Sequence, residues 1–251
     1  MAEDKSAASA VGPKRAEAHP SRYGRCGTIF KRLLRIIACA ATIVVAVGPG
    51  PGTASAEPGA GPVRIVAFGD SLTAGYNLGN EEAFPARLQR ALTAAGHAVQ
   101  VHNAGVSGDT TAGALARLDW AVPSDTEAVI VEFGANDALR GIDPAQTRSN
   151  LDRLVGTLTA RGHEVLVAGM LAPPNMGREY EVAFNAIFPA VARAHGALLY
   201  PFFLDGVAAQ AGLNQGDGMH PTAEGVDVIV ERILPSVIEL VDRAKARRPR
   251  S

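Results

Sequence analysis

Beyond residue 56 the chain has no cysteine; Cys26 and Cys39 both precede that point. Disulfides, thiolate metal sites and a cysteine nucleophile are excluded for that region. The chain also lacks an apolar run of membrane-spanning length. Ile36 to Val47 is twelve residues, and twelve residues make about 18 Å of helix against a hydrocarbon core of about 30 Å. Positive charge is not in excess either. After residue 56, sixteen Lys/Arg face twenty-two Asp/Glu, a net of −6, which argues against nucleic acid or an anionic membrane surface as the main partner. Three motifs are missing: a Gly-x-x-x-x-Gly-Lys-Ser/Thr phosphate loop, a His-Glu-x-x-His zinc helix and a Gly-x-Ser-x-Gly elbow. Gly69-Asp70-Ser71-Leu72-Thr73 stops short of the elbow's second glycine.

What is present begins with a leader. Lys31, Arg32 and Arg35 precede the apolar run, and Ala54-Ser55-Ala56 follows it. A basic flank, a short apolar core and an Ala-x-Ala site predict a secretory signal cut near Ala56. No Arg-Arg pair stands before the run, which favours the general export route over the twin-arginine one. The expected organisation is a signal with a long basic leader over 1–56, a Gly/Pro linker over 57–62, one domain over 63–246 and a basic tail over 247–251. The expected location is exported, periplasmic or secreted. The run Lys245 to Arg250 reads as a frayed helix end. No obligate protein partner is evident.

The domain alternates apolar strands with amphipathic helices. Strands are predicted over 65–68, 98–102, 128–133, 165–170 and 197–200. Helices are predicted over 83–95, 112–118, 144–161, 178–194 and 222–246, with Gly96, Gly162 and Gly196 as stops. Continuously apolar strands joined by helices predict an α/β fold, a three-layer α/β/α sandwich around a five-stranded parallel sheet.

In such a sheet, reactive groups gather beyond the carboxyl ends of the strands. The segments there are Gly69-Asp70-Ser71, Asn103 to Thr110, Gly134-Ala135-Asn136-Asp137, Met170 to Gly177 and Gly216 to Pro221. Acyl transfer needs a nucleophile, a base, a group to orient the base, and donors for the developing oxyanion. Ser71, His220 and Asp217 can fill the first three roles. The N–H groups of Ser71 and Gly108 and the Asn136 amide can supply the fourth. Each feature also has a plainer use. Gly-Asp-Ser occurs in ordinary turns, Asp217 and His220 can cap the last helix, Asn136 can brace a turn, and Gly108 can serve a tight bend. Their coincidence at four strand ends favours the chemical reading. Among the histidines, His220 alone has a carboxylate placed in sequence to orient it; His97, His102, His163 and His195 sit at element boundaries.

Taken together, Gly-Asp-Ser-Leu (69–72), the Gly108 loop, Gly-x-Asn-Asp (134–137) and Asp-x-x-His-Pro (217–221) resemble the SGNH, or GDSL, hydrolase superfamily. The stretches Asn103 to Leu118, Val131 to Gly141 and Pro174 to Phe188 are most similar to its bacterial thioesterase I, lysophospholipase and arylesterase group. The resemblance implies a flavodoxin-like SGNH fold, a Ser71–His220–Asp217 triad and an oxyanion hole of Ser71, Gly108 and Asn136. It implies no metal and no organic cofactor. It also implies that Met170, Leu171, Ala172, Pro173, Pro174 and Met176 line an acyl groove, although the methionines and Leu171 would serve equally in ordinary packing. Pro173 and Pro174 stiffen that loop relative to similar enzymes. The expected activity is hydrolysis of small-molecule or lipid acyl esters, with thioesters and lysophospholipids in range. Carbohydrate O-deacetylation and a non-catalytic binding role are the alternatives.

Overall fold

The computed structural model describes residues 61–249. The predicted signal segment, most of the linker and the last two residues of the tail lie outside that span. Five strands form one parallel sheet: β1 (Val63–Gly69), β2 (Val99–Gly105), β3 (Ala128–Glu132), β4 (Glu164–Ala168) and β5 (Leu198–Tyr200), in the spatial order β2-β1-β3-β4-β5. The predicted sandwich is thus the observed one. β1, β3 and β4 are interior strands, and all but Arg64 and Glu164 in them are buried. That is why these segments read as unbroken apolar runs. β2 is an edge strand with exposed positions. Gln89 accepts its Val101 N–H and Asn103 accepts its Gly105 N–H, so part of the open edge is occupied by side chains.

Helices α2 (Phe84–Ala94) and α8 (Ala223–Arg247) pack together in one layer. The other layer holds α3 (Thr111–Ala121), α5 (Pro144–Ala160), α6 (Arg178–Asn185) and α7 (Ile187–His195). Edge-on ring pairs Phe68–Phe133 and Phe84–Phe203, each with centroids 5.0 Å apart, sit in the core between the layers and the sheet. Among the described residues no helix is long and apolar enough to cross a membrane.

Three features depart from expectation. The single helix predicted over 178–194 is two helices, broken at Ala186. Pro189 explains the break, because it has no N–H for the Asn185 carbonyl and its ring crowds that carbonyl. Two short helices were not foreseen: α1 (Ser71–Ala74) directly after β1, and α4 (Ala135–Leu139) directly after β3. The basic tail is not frayed as far as it is described. Arg248 pairs with Glu127 and with the Gly61 carbonyl, Arg247 pairs with Glu164, and Lys245 meets His97. The acidic residues leading into β3 and β4 give this helix end its partners.

Candidate active site

Because all five strands are parallel, their carboxyl ends share one edge, and the loops that follow meet there. β1 ends at Gly69, and Asp70 caps α1: its Oδ1 accepts the Leu72 N–H at 3.0 Å. The plain turn role of Asp70 is therefore real, and it sets Ser71 at the first position of a short helix. Ser71 is enclosed, at 8% exposure, and its hydroxyl is reached through a cavity.

Ser71 Oγ lies 2.9 Å from His220 Nε2, and His220 Nδ1 lies 2.6 Å from Asp217 Oδ2. Residues 149 apart in sequence are thus joined by one hydrogen-bonded line. Asp217 Oδ1 also accepts the N–H groups of Met219 and His220. These backbone donors, ahead of the imidazole, hold the Asp217 carboxyl down at about 2. The alternative in which Asp217 and His220 cap the last helix does not hold, since Thr222 caps α8 by accepting the Gly225 N–H.

The three expected oxyanion donors converge on the same edge. The N–H groups of Ser71 and Gly108 have no acceptor among the described residues. Gly108 has φ +79°, and a Cβ there would meet only Arg140 Nη2, at 3.8 Å. Glycine is required by backbone conformation, not by lack of room. Arg140 donates to the Gly108 carbonyl at 2.6 Å. Asn136 sits in α4 and donates from Nδ2 to Asp70 Oδ2 at 3.0 Å, leaving its second N–H available. Next to it, the buried Asp137 accepts the Thr111 N–H and hydroxyl and the Thr147 hydroxyl. Asp137 thereby ties the loop after β3 to the start of α3, and so to the Gly108 loop.

Arg117 makes the widest connection. It is buried on α3, donates to Asp109 Oδ2 at 2.7 Å, to the Ala104 carbonyl at 2.8 Å and to the Gly69 carbonyl at 2.9 Å. Its guanidinium also lies 4.4 Å from the centre of the Phe68 ring. One side chain thus joins the ends of β1 and β2 to the loop that carries Gly108.

A cavity of about 620 Å³ opens over Ser71, Gly108, Asn136 and His220. Met170, Leu171, Ala172, Pro173 and Pro174 line it, with Tyr76, Leu139, Phe202, Leu204 and Met219. Met176, expected in the same wall, is not part of it. A 3₁₀ turn over Pro174–Met176 carries it toward Gly141, where a Cβ would stand 3.8 Å from its Cε. The loop is anchored by Asn185 Oδ1, which accepts the Ala172 N–H at 2.9 Å.

Sequence reasoning missed several participants. Arg117 and the walls from 202–209 carried no motif, and Asp70 and Asp137 stood inside motifs without being given a role. Glu132 carried a signal that went unused, a lone carboxyl in an apolar strand. It is fully buried, and its Oε2 accepts the Thr73 hydroxyl at 2.8 Å. Burial, and then the neighbouring Asp70, push its carboxyl well above the usual range. Burial pushes Asp70 up to about 6. His220 is also not alone in having a carboxylate partner. His195 Nε2 lies 2.9 Å from Asp152, which ties α7 to α5 away from the cavity.

The model of the GDSL-like Lipase/Acylhydrolase family matches residues 67–228. A Pseudomonas aeruginosa protein named Esterase TesA is 38% identical over 178 residues, covering 70% of this chain and 89% of that protein. An Escherichia coli K12 protein named Thioesterase 1/protease 1/lysophospholipase L1 is 35% identical over 179 residues, covering 71% of this chain and 85% of that protein. Among solved structures, AlinE4, titled an SGNH-hydrolase family esterase, is 43% identical with a TM-score of 0.61, covering 76% of this chain and 99% of that one.

Proposed function

The chain belongs to the GDSL-like Lipase/Acylhydrolase family and is a carboxylic ester hydrolase, and we propose that it acts through Ser71, His220 and Asp217 by way of an acyl-enzyme. The observation that carries this reading is the continuous hydrogen-bonded line from Ser71 Oγ through His220 to Asp217 at an apolar cavity. Ser71 Oγ attacks the acyl carbon as His220 Nε2 takes its proton. The oxygen of the tetrahedral intermediate is held by the Ser71 and Gly108 N–H groups and by Asn136 Nδ2. His220 returns the proton to the leaving alkoxide or thiolate, and the acyl group stays on Ser71. A water, deprotonated by His220, then attacks the acyl carbon, and the acid departs as Ser71 regains its proton. Asp217 stays ionised and fixes the tautomer of His220.

The cavity supports a reading of the substrate class. Its Met, Leu, Pro and Phe lining favours a fatty acyl chain, in a simple ester, a thioester or a lysophospholipid. An O-acetyl sugar would place hydroxyls against that lining with few partners. We further propose that the chain is exported through its leader, which sets it among lipids and fatty esters and apart from the cytosolic acyl-CoA pool. Periplasmic or secreted protein that begins near residue 57 is the expected finding on fractionation; full-length protein in the cytosol would refute export.

The test is hydrolysis of p-nitrophenyl esters from acetyl to palmitoyl by the wild type and Ser71→Ala. Activity should peak at a middle or long chain, and the variant should lose at least about a thousandfold. Cleavage of acetyl alone would favour deacetylation. Equal activity in the variant would refute the role of Ser71.

A further inference from the structure

Behind the proposed nucleophile lies a second acidic feature that the reaction above leaves unused. Glu132 occupies the last position of β3, fully buried, and Asp70 is fully buried beside it. The two residues adjoin: the Asp70 N–H stands 3.4 Å from Glu132 Oε2. Gly69 makes the room: a Cβ there would stand 2.6 Å from Glu132 Oε2 and 2.0 Å from Thr73 Oγ1. The nearby cation, Arg117, spends its donors on Asp109 and on the carbonyls of Ala104 and Gly69. His220 lies near enough to Asp70 to favour its charge.

Two adjacent buried carboxyls cannot both carry charge at modest cost, so one proton is shared. Partner geometry says where it rests. Asp70 has the better donors, the Leu72 N–H on Oδ1 and Asn136 Nδ2 on Oδ2. Glu132 has the Thr73 hydroxyl and a long contact from the Asp70 N–H, both on Oε2; its Oε1 has no donor. An ionised Glu132 would leave that oxygen bare in a dry site. A neutral Glu132 carries no charge to solvate and can add its O–H to the donors Asp70 already has.

The consequence reaches the cavity. An ionised Asp70 only accepts, so Asn136 must present its NH₂ group to it and not its carbonyl. One N–H of that group is taken and the other is left for a ligand. We propose that Asp70 and Glu132 form a one-proton acid pair whose work is to position Asn136 for the oxyanion. The proposal rests on the reading of Asn136 as an oxyanion donor. Glu132 and Asp70 are positioning residues: neither touches the reacting atoms, and both act through Asn136.

The test combines spectroscopy with kinetics. At pH 7 the wild type should show the infrared carbonyl stretch of a protonated carboxylic acid, and Glu132→Gln should lack it. Glu132→Gln should keep kcat near that of wild type, because its amide N–H replaces the acid O–H. Glu132→Leu should lower kcat about 10²-fold with KM unchanged, as loss of an oxyanion donor does. Asn136→Ala should show a similar loss, and the double variant should fall no further than either single variant. If Glu132→Leu fails to fold, the infrared band and the Gln variant decide. Absence of the band in wild type, its survival in Glu132→Gln, or a Gln variant as impaired as Asn136→Ala would overturn the acid pair. Full additivity in the double variant would overturn the positioning role. An Asn136→Ala variant with wild-type kcat would instead overturn the oxyanion reading, and the role of the pair with it.

Discussion

Replacing Arg117 with Met keeps most of the aliphatic stem and removes the guanidinium, with its contact over the Phe68 ring. Three hydrogen bonds are lost together, to Asp109 and to the carbonyls of Ala104 and Gly69. The main loss is electrostatic. The Arg117 and Asp109 side chains are 8% and 11% exposed, so Asp109 would keep its charge with little water to replace its partner. Breaking one side of such a pair costs about 3–5 kcal/mol. For a domain of this size each kcal/mol moves Tm by about 2–4 °C, so Tm should fall by about 6–20 °C. The assay is calorimetric unfolding at neutral pH of the wild type, Arg117→Met and Arg117→Met/Asp109→Asn. The asparagine of the double variant leaves no buried charge and still offers an acceptor to the Thr110 N–H that Asp109 Oδ1 serves. The double variant should therefore be more stable than the single one. A single variant within about 2 °C of wild type would refute the reasoning, since the lost pair would then be worth less than about 1 kcal/mol. A double variant no more stable than the single would locate the cost in the two carbonyls, which both variants leave without Arg117.

Other outcomes follow from the same geometry. Gly108→Ala puts a Cβ on a residue at φ +79°, with open space around it; stability should drop by about 1–2 kcal/mol, and kcat should fall further as the N–H turns away, measured by urea unfolding and ester kinetics. Asp217→Asn keeps an acceptor for the two backbone donors and removes the charge that supports protonated His220; kcat should fall about 10²–10⁴-fold with KM little changed. Asp70 should reveal itself in pH dependence. Its folded carboxyl titrates at about 6, above its ordinary 3.8, so the native state binds more protons than the unfolded one between those values, and the Asp70 contribution to stability falls as pH rises from about 4 through 6. An asparagine in its place has no such titration; the stability of wild type minus Asp70→Asn should decline over that window, and a flat difference across it would refute the shift.

The fold was legible because burial wrote itself into the sequence. Val129, Ile130 and Val131 are buried on both faces of an interior strand, which forces apolar side chains at consecutive positions. The helix break at Ala186 was legible only in part. Pro189 was visible, but within the amphipathic pattern of 178–194 its effect was overridden by periodicity. The short helices α1 and α4 left no periodic trace, since four or five residues are too few to show one.

The proposed chemistry divides in the same way. Ser71, Gly108 and Asn136 were named from sequence because each stands in a local pattern just after a strand, and Asp217 and His220 because they share one just before the last helix. Parallel strands guarantee that such positions share an edge. Met176 was misplaced because a 3₁₀ turn, not chain order, decides which loop residues face a cavity. Sequence alone determined the alternation of elements and the residue types at the strand ends, since these follow from neighbours along the chain. Tertiary structure alone decided the 2.9 Å approach of Ser71 to His220, the bridging by Arg117 and the burial of Glu132 against Asp70. The distances, burial and shared proton depend on groups brought together from distant parts of the chain, and a local pattern carries no record of them.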